Sequence, residues 1–498
     1  MFNSLKATLK HSTIYGLGNI SSKLVGFILL PLYTEYLTVD EYGILALLEI
    51  TSQILVSIFS FNISTAMMRW VAEATDEDHQ KTIVFTTLVS TTIISALLFV
   101  FILPFTNDLS YLFFSNVKFS NYIVLLFLTS SFGIHNLFPL TLMRLREKSS
   151  MFAILNTLKF ALTLSLNYYF IAYLNMGVEG ILISLLIGQL FLTLFSIPLV
   201  KANINLKFQL SILKEMFSYG FPLIFTTVFT LLLTMSDRFI IKYFYGDASV
   251  GIYSLGHKIA SVINVLILQS FQLGFLPIAY KKVGAPDSQR FFAKTLTYYT
   301  FVLVISALAI SLFSKELIVA LAQKKEYWES YSVIPIITFA FVLRGIQYIY
   351  SLSFHYSKQT SYNAVIVIVS AILNVVLNIY LVQAFGYIGA AYAILISTFA
   401  MMWMSFYYAQ KVFQINYETK KLYLLVIVGL VFYFISTFLN DLNIYLSLFA
   451  KFLLISLFPF ILVPLKFYEK VELTRIKQGW HKWKNPSDWK NNFKKISL

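Results

Sequence analysis

The chain contains no cysteine, which excludes disulfides, thiolate catalysis and cysteine-held metals. Charge is scarce too: 12% of the 498 residues are Asp, Glu, Lys or Arg. That is too little polar surface to coat a soluble body of 57.1 kDa. No Gly-rich phosphate loop with lysine, no nucleophile elbow and no helix-borne pair of metal histidines is found. No cofactor is expected, and ATP-driven work would require another protein. Acids are outnumbered by bases, 23 to 38, for a net charge of +15. What the sequence has in abundance is apolar length, with 58% hydrophobic residues and a mean hydropathy of +0.74.

About fourteen apolar runs of roughly 20 residues follow one another, each long enough to cross a hydrocarbon core about 30 Å thick. The predicted spans are 11–33, 42–68, 82–104, 119–142, 151–174, 180–200, 215–240, 250–280, 295–314, 331–354, 363–384, 388–410, 421–440 and 443–465. Their continuous apolarity lacks the alternation of membrane-barrel strands, so helices are required. The expected fold is an all-α integral membrane protein. The run after Met1–Lys10 is longer than a signal-peptide core and lacks a small-residue cleavage site, so the first helix is expected to stay.

Basic residues sort by membrane side, which removes nucleic acid as the explanation of the charge. The N-terminus, alternate loops and the tail from Lys466 hold 27 of them, the intervening loops only 5. Both termini are therefore expected in the cytoplasm. Leu473, Ile476, Trp480 and Trp483 recur at helical spacing within the basic tail, as in an amphipathic helix lying on an anionic leaflet.

An offset of roughly 210 residues brings loops and glycines into register. Gly43 pairs with Gly251, Lys148 with Lys358, and Gly177-Val178-Glu179-Gly180 with Gly386-Tyr387-Ile388-Gly389. Six helices separate equivalent points, an even number, so the halves share one orientation and an axis along the membrane normal. The organisation expected is a six-helix bundle over 1–210, a second over 211–415, two further helices over 416–466 and the tail over 467–498.

Several of these stretches carry a resemblance. They are Pro31-Leu32-Tyr33, Asp40-Glu41-Tyr42-Gly43, Ser236-Asp237-Arg238-Phe239-Ile240-Ile241, Val250-Gly251-Ile252-Tyr253-Ser254, Asn374-Val375-Val376-Leu377-Asn378 and Gly386-Tyr387-Ile388-Gly389-Ala390-Ala391. Together the chain resembles the Wzx-type flippases of O-antigen and capsule precursors, in the superfamily of lipid II flippases and multidrug and toxin extrusion transporters. The resemblance implies two parallel bundles around a central cavity that opens alternately to either side. The implied cargo is a polyprenyl-pyrophosphate-linked oligosaccharide for cell-surface polysaccharide, the implied location a bacterial inner membrane, and polysaccharide assembly enzymes are the implied partners besides membrane lipids.

An ion near mid-bilayer costs about 2.5–3.5 kcal/mol on insertion scales, so each needs a cavity or a partner. Six basic residues lie within predicted spans: Lys23, Lys159, Arg238, Lys258, Arg344 and Lys451. Opposing acids there are chiefly Glu49 and Asp237, so an anion is the natural guest. Lys23, Lys159, Arg238, Lys258 and Arg344 are the candidate anion-binding set. Glu49 and Asp237 are candidates for coupling to Na⁺ or H⁺ or for a gate, although Asp237 beside Arg238 also reads as an internal ion pair. Polar stripes at helical spacing add Asn19, Gln53, His257 and Asn264 as candidate lining, with Ser57, Ser60 and Ser64 continuing the Glu49 stripe and Tyr219, Pro222, Thr226, Thr230, Thr234 and Asp237 forming another. Lys451, outside the repeat, is expected to snorkel. His135 and His257 lack metal-ligand spacing, and Asp76-Glu77-Asp78 reads as a solvated turn.

Two rivals make different demands. An organic-cation antiporter of the same superfamily needs a cavity dominated by acids, and a membrane polysaccharide polymerase or ligase needs a large external catalytic loop. The charge balance opposes the first and the short loops oppose the second.

Overall fold

The computed structural model describes residues 27–474 apart from 75, 283–285 and 358, and leaves a few further side chains, Thr226 among them, undescribed. All regular structure among the described residues is helical. Helix α1 (Leu30–Tyr36) ends the first span. Then come α2 (Val39–Phe59), α3 (Ile63–Glu73), α4 (Glu77–Ile102), α5 (Thr106–Phe114), α6 (Ser120–Leu145), α7 (Ser149–Tyr168) and α8 (Gly177–Ala202). The second half holds α9 (Leu210–Ala260), α10 (Ser270–Lys282), α11 (Ser288–Leu312), α12 (Ser314–Leu321), α13 (Ile334–Tyr356), α14 (Ser361–Phe385) and α15 (Tyr387–Val412), followed by α16 (Thr419–Thr437) and α17 (Ile444–Ile461).

Among the described residues, twelve helical runs are long and apolar enough to cross a membrane. One of them, Leu210–Leu276, is 67 residues long, about 100 Å as a straight rod and far more than one crossing needs. It turns back at Gly246, whose φ of 77° and ψ of −175° interrupt α9. The Tyr253 hydroxyl reaches the Asp237 carboxylate at 2.5 Å, although 16 residues of continuous helix would hold them about 24 Å apart. The limbs on either side of Gly246 are therefore the predicted seventh and eighth spans. All but the last residues of the first predicted span lie outside the described residues.

Two breaks were not expected. The span predicted over 42–68 divides where Phe61 and Asn62 take φ values of 46° and 52°, with Gly220 pressed against the break. A Cβ on Gly220 would lie 2.1 Å from the Phe61 carbonyl oxygen. The predicted eighth span carries a π-helical segment, Asn264–Gln269, between α9 and α10.

Residues paired by the repeat share conformations. Gly177 and Gly386 both open a hairpin with positive φ, 55° and 61°, where a side chain would be strained. Gly43 and Gly251 meet each other's strands of the crossing reciprocally. A Cβ on Gly43 would lie 1.9 Å from the Asp247 carbonyl oxygen, and one on Gly251 2.2 Å from that of Val39. Glycine is what lets α2 and the second limb of α9 cross backbone to backbone. This crossing is at the lysine-poor end of the bundle. There Lys324 donates to the Leu37 carbonyl at 2.7 Å, Tyr327 to that of Thr38 at 2.9 Å, and Thr34 to that of Leu321 at 3.0 Å.

At the lysine-rich end, Lys294 on α11 gathers Glu418, Glu469 and Glu472 at 3.0, 2.6 and 3.6 Å. Tyr298 donates to Glu472 and Arg290 stands 3.4 Å from Glu469. Burial acts to raise the Glu418 carboxyl, but hydrogen bonds from Lys421, Lys294 and Thr297 outweigh it and hold the group below the usual range. Glu469 is held low chiefly by its bond to Lys294. The amphipathic tail pattern beyond residue 474 lies outside the described residues.

Candidate functional site

A cavity of about 460 Å³ opens between α2, both limbs of α9, α13 and α15. From α2 it receives Tyr42, Glu49 and Gln53, which recur at intervals of seven and four and so share one face. The α9 limbs supply Thr230, Thr234 and Arg238, then Ser254, His257, Lys258 and Ser261, with Asn264 and Gln269 just beyond. Helix α13 adds Phe341 and Arg344, and α15 adds Thr398 and Met401.

The local motifs explain how these side chains are aimed. Thr38 and Glu41 form a capping box at the start of α2: Glu41 N–H donates to Thr38 Oγ1 at 3.2 Å and Thr38 N–H to Glu41 Oε2 at 2.8 Å. In Asp40-Glu41-Tyr42-Gly43, then, Glu41 fixes the start, Tyr42 faces the cavity and Gly43 makes the crossing. Asn374 and Asn378 on α14 serve as internal polar ties: Asn374 donates to Ser397 at 2.9 Å, and Asn378 to Asn374 at 3.0 Å. The motif residues behind the resemblance are thus largely structural.

The cavity cations are not equivalent. Arg238 pairs with the buried Asp237 at 2.7 Å and lies over the Tyr253 ring at 5.0 Å. Lys258 donates to Tyr42, feels the Glu49 carboxylate, and has its ammonium 5.8 and 6.0 Å from the Tyr33 and Tyr42 ring centres. Tyr33 is itself held by a 3.2 Å bond to Asn167. Among the described residues no hydrogen bond or ion pair engages Arg344 or Glu49. The His257 ring packs 6.0 Å from both Tyr253 and Phe341.

Of the residues singled out from sequence, the cavity gathers Glu49, Gln53, Arg238, His257, Lys258, Asn264 and Arg344. Lys23 and Asn19 lie outside the described residues. Lys159 does not line this cavity: its ammonium donates to Gln189 Oε1 at 2.9 Å, and Asn136 donates to the same oxygen, in a polar cluster of α6, α7 and α8. Asp237 does not line it either, because Arg238 and Tyr253 hold its carboxylate away. The expected Ser60–Ser64 continuation of the α2 stripe ends at the break after Phe59. Lys451 does not snorkel. It is fully buried, bonded to Glu316 at 2.5 Å and to Asn440 at 2.7 Å. His135 shares a hydrogen bond with Thr92 at 3.2 Å. Asp76 caps α4 by accepting from His79 N–H at 2.7 Å, and Asp78 pairs with Lys207 at the same distance. No cluster of metal-ligating residues is present among the described residues. Tyr42, Phe341, Thr398 and Met401 were missed. Tyr42 was reachable from its spacing to Glu49; the α15 pair had only helical position to announce it.

The family described as "Polysaccharide biosynthesis protein" matches residues 8–283, more than half of the chain. The chain belongs to that family. A second family, MatE, matches residues 222–380. "Lsg locus putative protein 1" of Haemophilus influenzae is 25% identical over 281 residues, 55% of this chain and 66% of that protein. "Capsular polysaccharide biosynthesis protein CapF" of Staphylococcus aureus is 26% identical over 218 residues, 42% of this chain and 54% of that protein. The matches thus span just under two thirds and about half of these relatives' lengths. Among solved structures, the fold is that of the lipid II flippase MurJ in an inward closed conformation, with a TM-score of 0.75 at 15% identity, covering 90% of this chain and 98% of that one. An inward-facing multidrug resistance MATE transporter gives 0.66 at 15% identity, covering 80% and 94%. The family member described here is a multi-pass membrane protein with a transporter fold, as the sequence resemblance led one to expect.

Proposed function

We propose that this protein is a flippase that carries a polyprenyl-pyrophosphate-linked oligosaccharide from the inner to the outer leaflet of a bacterial cytoplasmic membrane. The observation that carries the reading is the cavity itself, where Lys258 and Arg344 present positive charge without a carboxylate ion pair among the described residues. In low dielectric such charges are stabilised by an anionic guest. A volume of about 460 Å³ suits a diphosphate and its first sugar rather than a whole glycan. The prenyl tail would stay in lipid. With the termini cytoplasmic, the lysine-poor end faces outward and is the closed end. Moving each negative charge outward then gains roughly 2.3 kcal/mol per 100 mV if the cell interior is negative. The basic tail is the surface on which assembly enzymes would meet it.

An organic-cation substrate is not supported, because three cations and a single carboxylate line the cavity. The test is leaflet distribution. Cells lacking the protein are expected to accumulate lipid-linked glycan on the cytoplasmic leaflet; a normal distribution with undiminished surface polymer rejects the assignment.

A further inference from the structure

Two carboxylates were candidates for sensing an ion, and their surroundings separate them. Asp237 is locked between Arg238 and Tyr253, at 2.7 and 2.5 Å, and lies behind the cavity wall. Glu49 stands in the cavity with no hydrogen bond or ion pair among the described residues, close enough to Lys258 for its charge to act on it. We propose that Glu49 is a proton-operated counter-ion: ionised, it competes with the head group for Lys258; protonated, it leaves Lys258 and Arg344 to a diphosphate, so that anion and proton bind together. This inference rests on the anion-cavity reading above.

The electrostatics require such a linkage. A diphosphate within reach of Lys258 brings negative charge beside the Glu49 carboxylate, and like charges in low dielectric push one group to protonate. Tyr42 lines the same wall and turns from one partner of Lys258 to another without charge. The titratable or charged groups that face Glu49 are Tyr33 from α1, Tyr42 from its own helix, Arg238, His257 and Lys258 from α9, and Arg344 from α13. Helix α6 presents Ser130, which is bonded to Ser52 at 2.9 Å and does not titrate. Among the groups facing Glu49, His257 is the other one that titrates near neutral pH. It stands at the repeat-equivalent position, since Gly43 and Gly251 differ by the same 208 residues as Glu49 and His257.

The test is binding of a soluble short-chain prenyl diphosphate to the full-length protein in nanodiscs, from about pH 5.5 to about pH 8, a range that brackets a carboxyl raised by burial. The wild type is expected to bind more tightly as pH falls, by up to about tenfold per unit when one proton is linked. Glu49→Gln should bind with a flattened pH dependence and more tightly than wild type at high pH. His257→Gln should keep most of the slope. If Glu49→Gln keeps the full slope while His257→Gln loses it, the histidine carries the linkage and the proposal is wrong. If Glu49→Gln weakens binding at every pH, Glu49 positions the ligand and the proposal is again wrong. If no protein binds the diphosphate at any pH, the anion-cavity reading itself falls.

Discussion

Arg238 and Arg344 carry the same guanidinium on the same cavity, yet their surroundings assign them opposite behaviour. Arg344 has charge to offer a ligand, whereas Arg238 is occupied by Asp237 and Tyr253. Replacing Lys258 or Arg344 by Gln is therefore expected to reduce export by about 10- to 100-fold at normal protein level, the range of a lost charge-assisted hydrogen bond. Arg344→Lys should keep part of the activity, retaining a point charge but not the fork. Arg238→Gln should instead lower the amount of folded protein, because it strands the Asp237 carboxylate at about 3–5 kcal/mol. Transport normalised to inserted protein separates the two cases. The same physics overturns the sequence reading of Lys451, whose fully buried ammonium ties α17 to Glu316 on α12. Lys451→Met is expected to lower the melting temperature in detergent by several degrees, and a further Glu316→Gln change to restore part of it. A neutral effect of Lys451→Met would show that the pair contributes nothing. Sequence marked these residues as ions in a membrane and could go no further, because a partner 135 positions away leaves no local trace.

Long apolar elements were legible because the bilayer demands both length and continuity of them. Their interruptions were not. The break at Phe61 and Asn62 uses residues that rarely take positive φ and carries no proline or glycine of its own; its accommodating glycine, Gly220, is on another helix. The π segment Asn264–Gln269 likewise has no breaker residue. Linkage between elements at the lysine-rich end gives a pH dependence whose sign is fixed. Glu418 and Glu469 are depressed in the folded state, so their contribution is present above the ordinary carboxyl range and is lost as pH falls through their lowered values. Acidification below about pH 4 should release the 467–474 segment from α11. A spin label or dye on a cysteine placed at Lys470 would report it, in a chain with no other thiol. In Lys294→Gln the release should move to higher pH; an unchanged midpoint would show that Lys294 does not hold the segment.

At the scale of the molecule, the repeat and the sorted lysines were readable, since both are patterns summed over hundreds of residues. The closeness of the two halves was not, because a crossing is a relation between backbones. If the Gly43 and Gly251 crossing closes the outward end, a methyl group at either position forces that end apart. Gly43→Ala and Gly251→Ala should each raise labelling of a cysteine at Gln53 by an impermeant maleimide added outside, and each should impair export. Unchanged labelling would place the closure elsewhere. The reciprocity of the contact has a further consequence. Position 43 meets 247 while 251 meets 39, which is the pattern of an isologous interface, where one patch recognises its own copy across a two-fold axis. An unduplicated ancestor with one glycine could have closed the same gate as a homodimer, and the fused chain inherited a seal that had already been tested against itself.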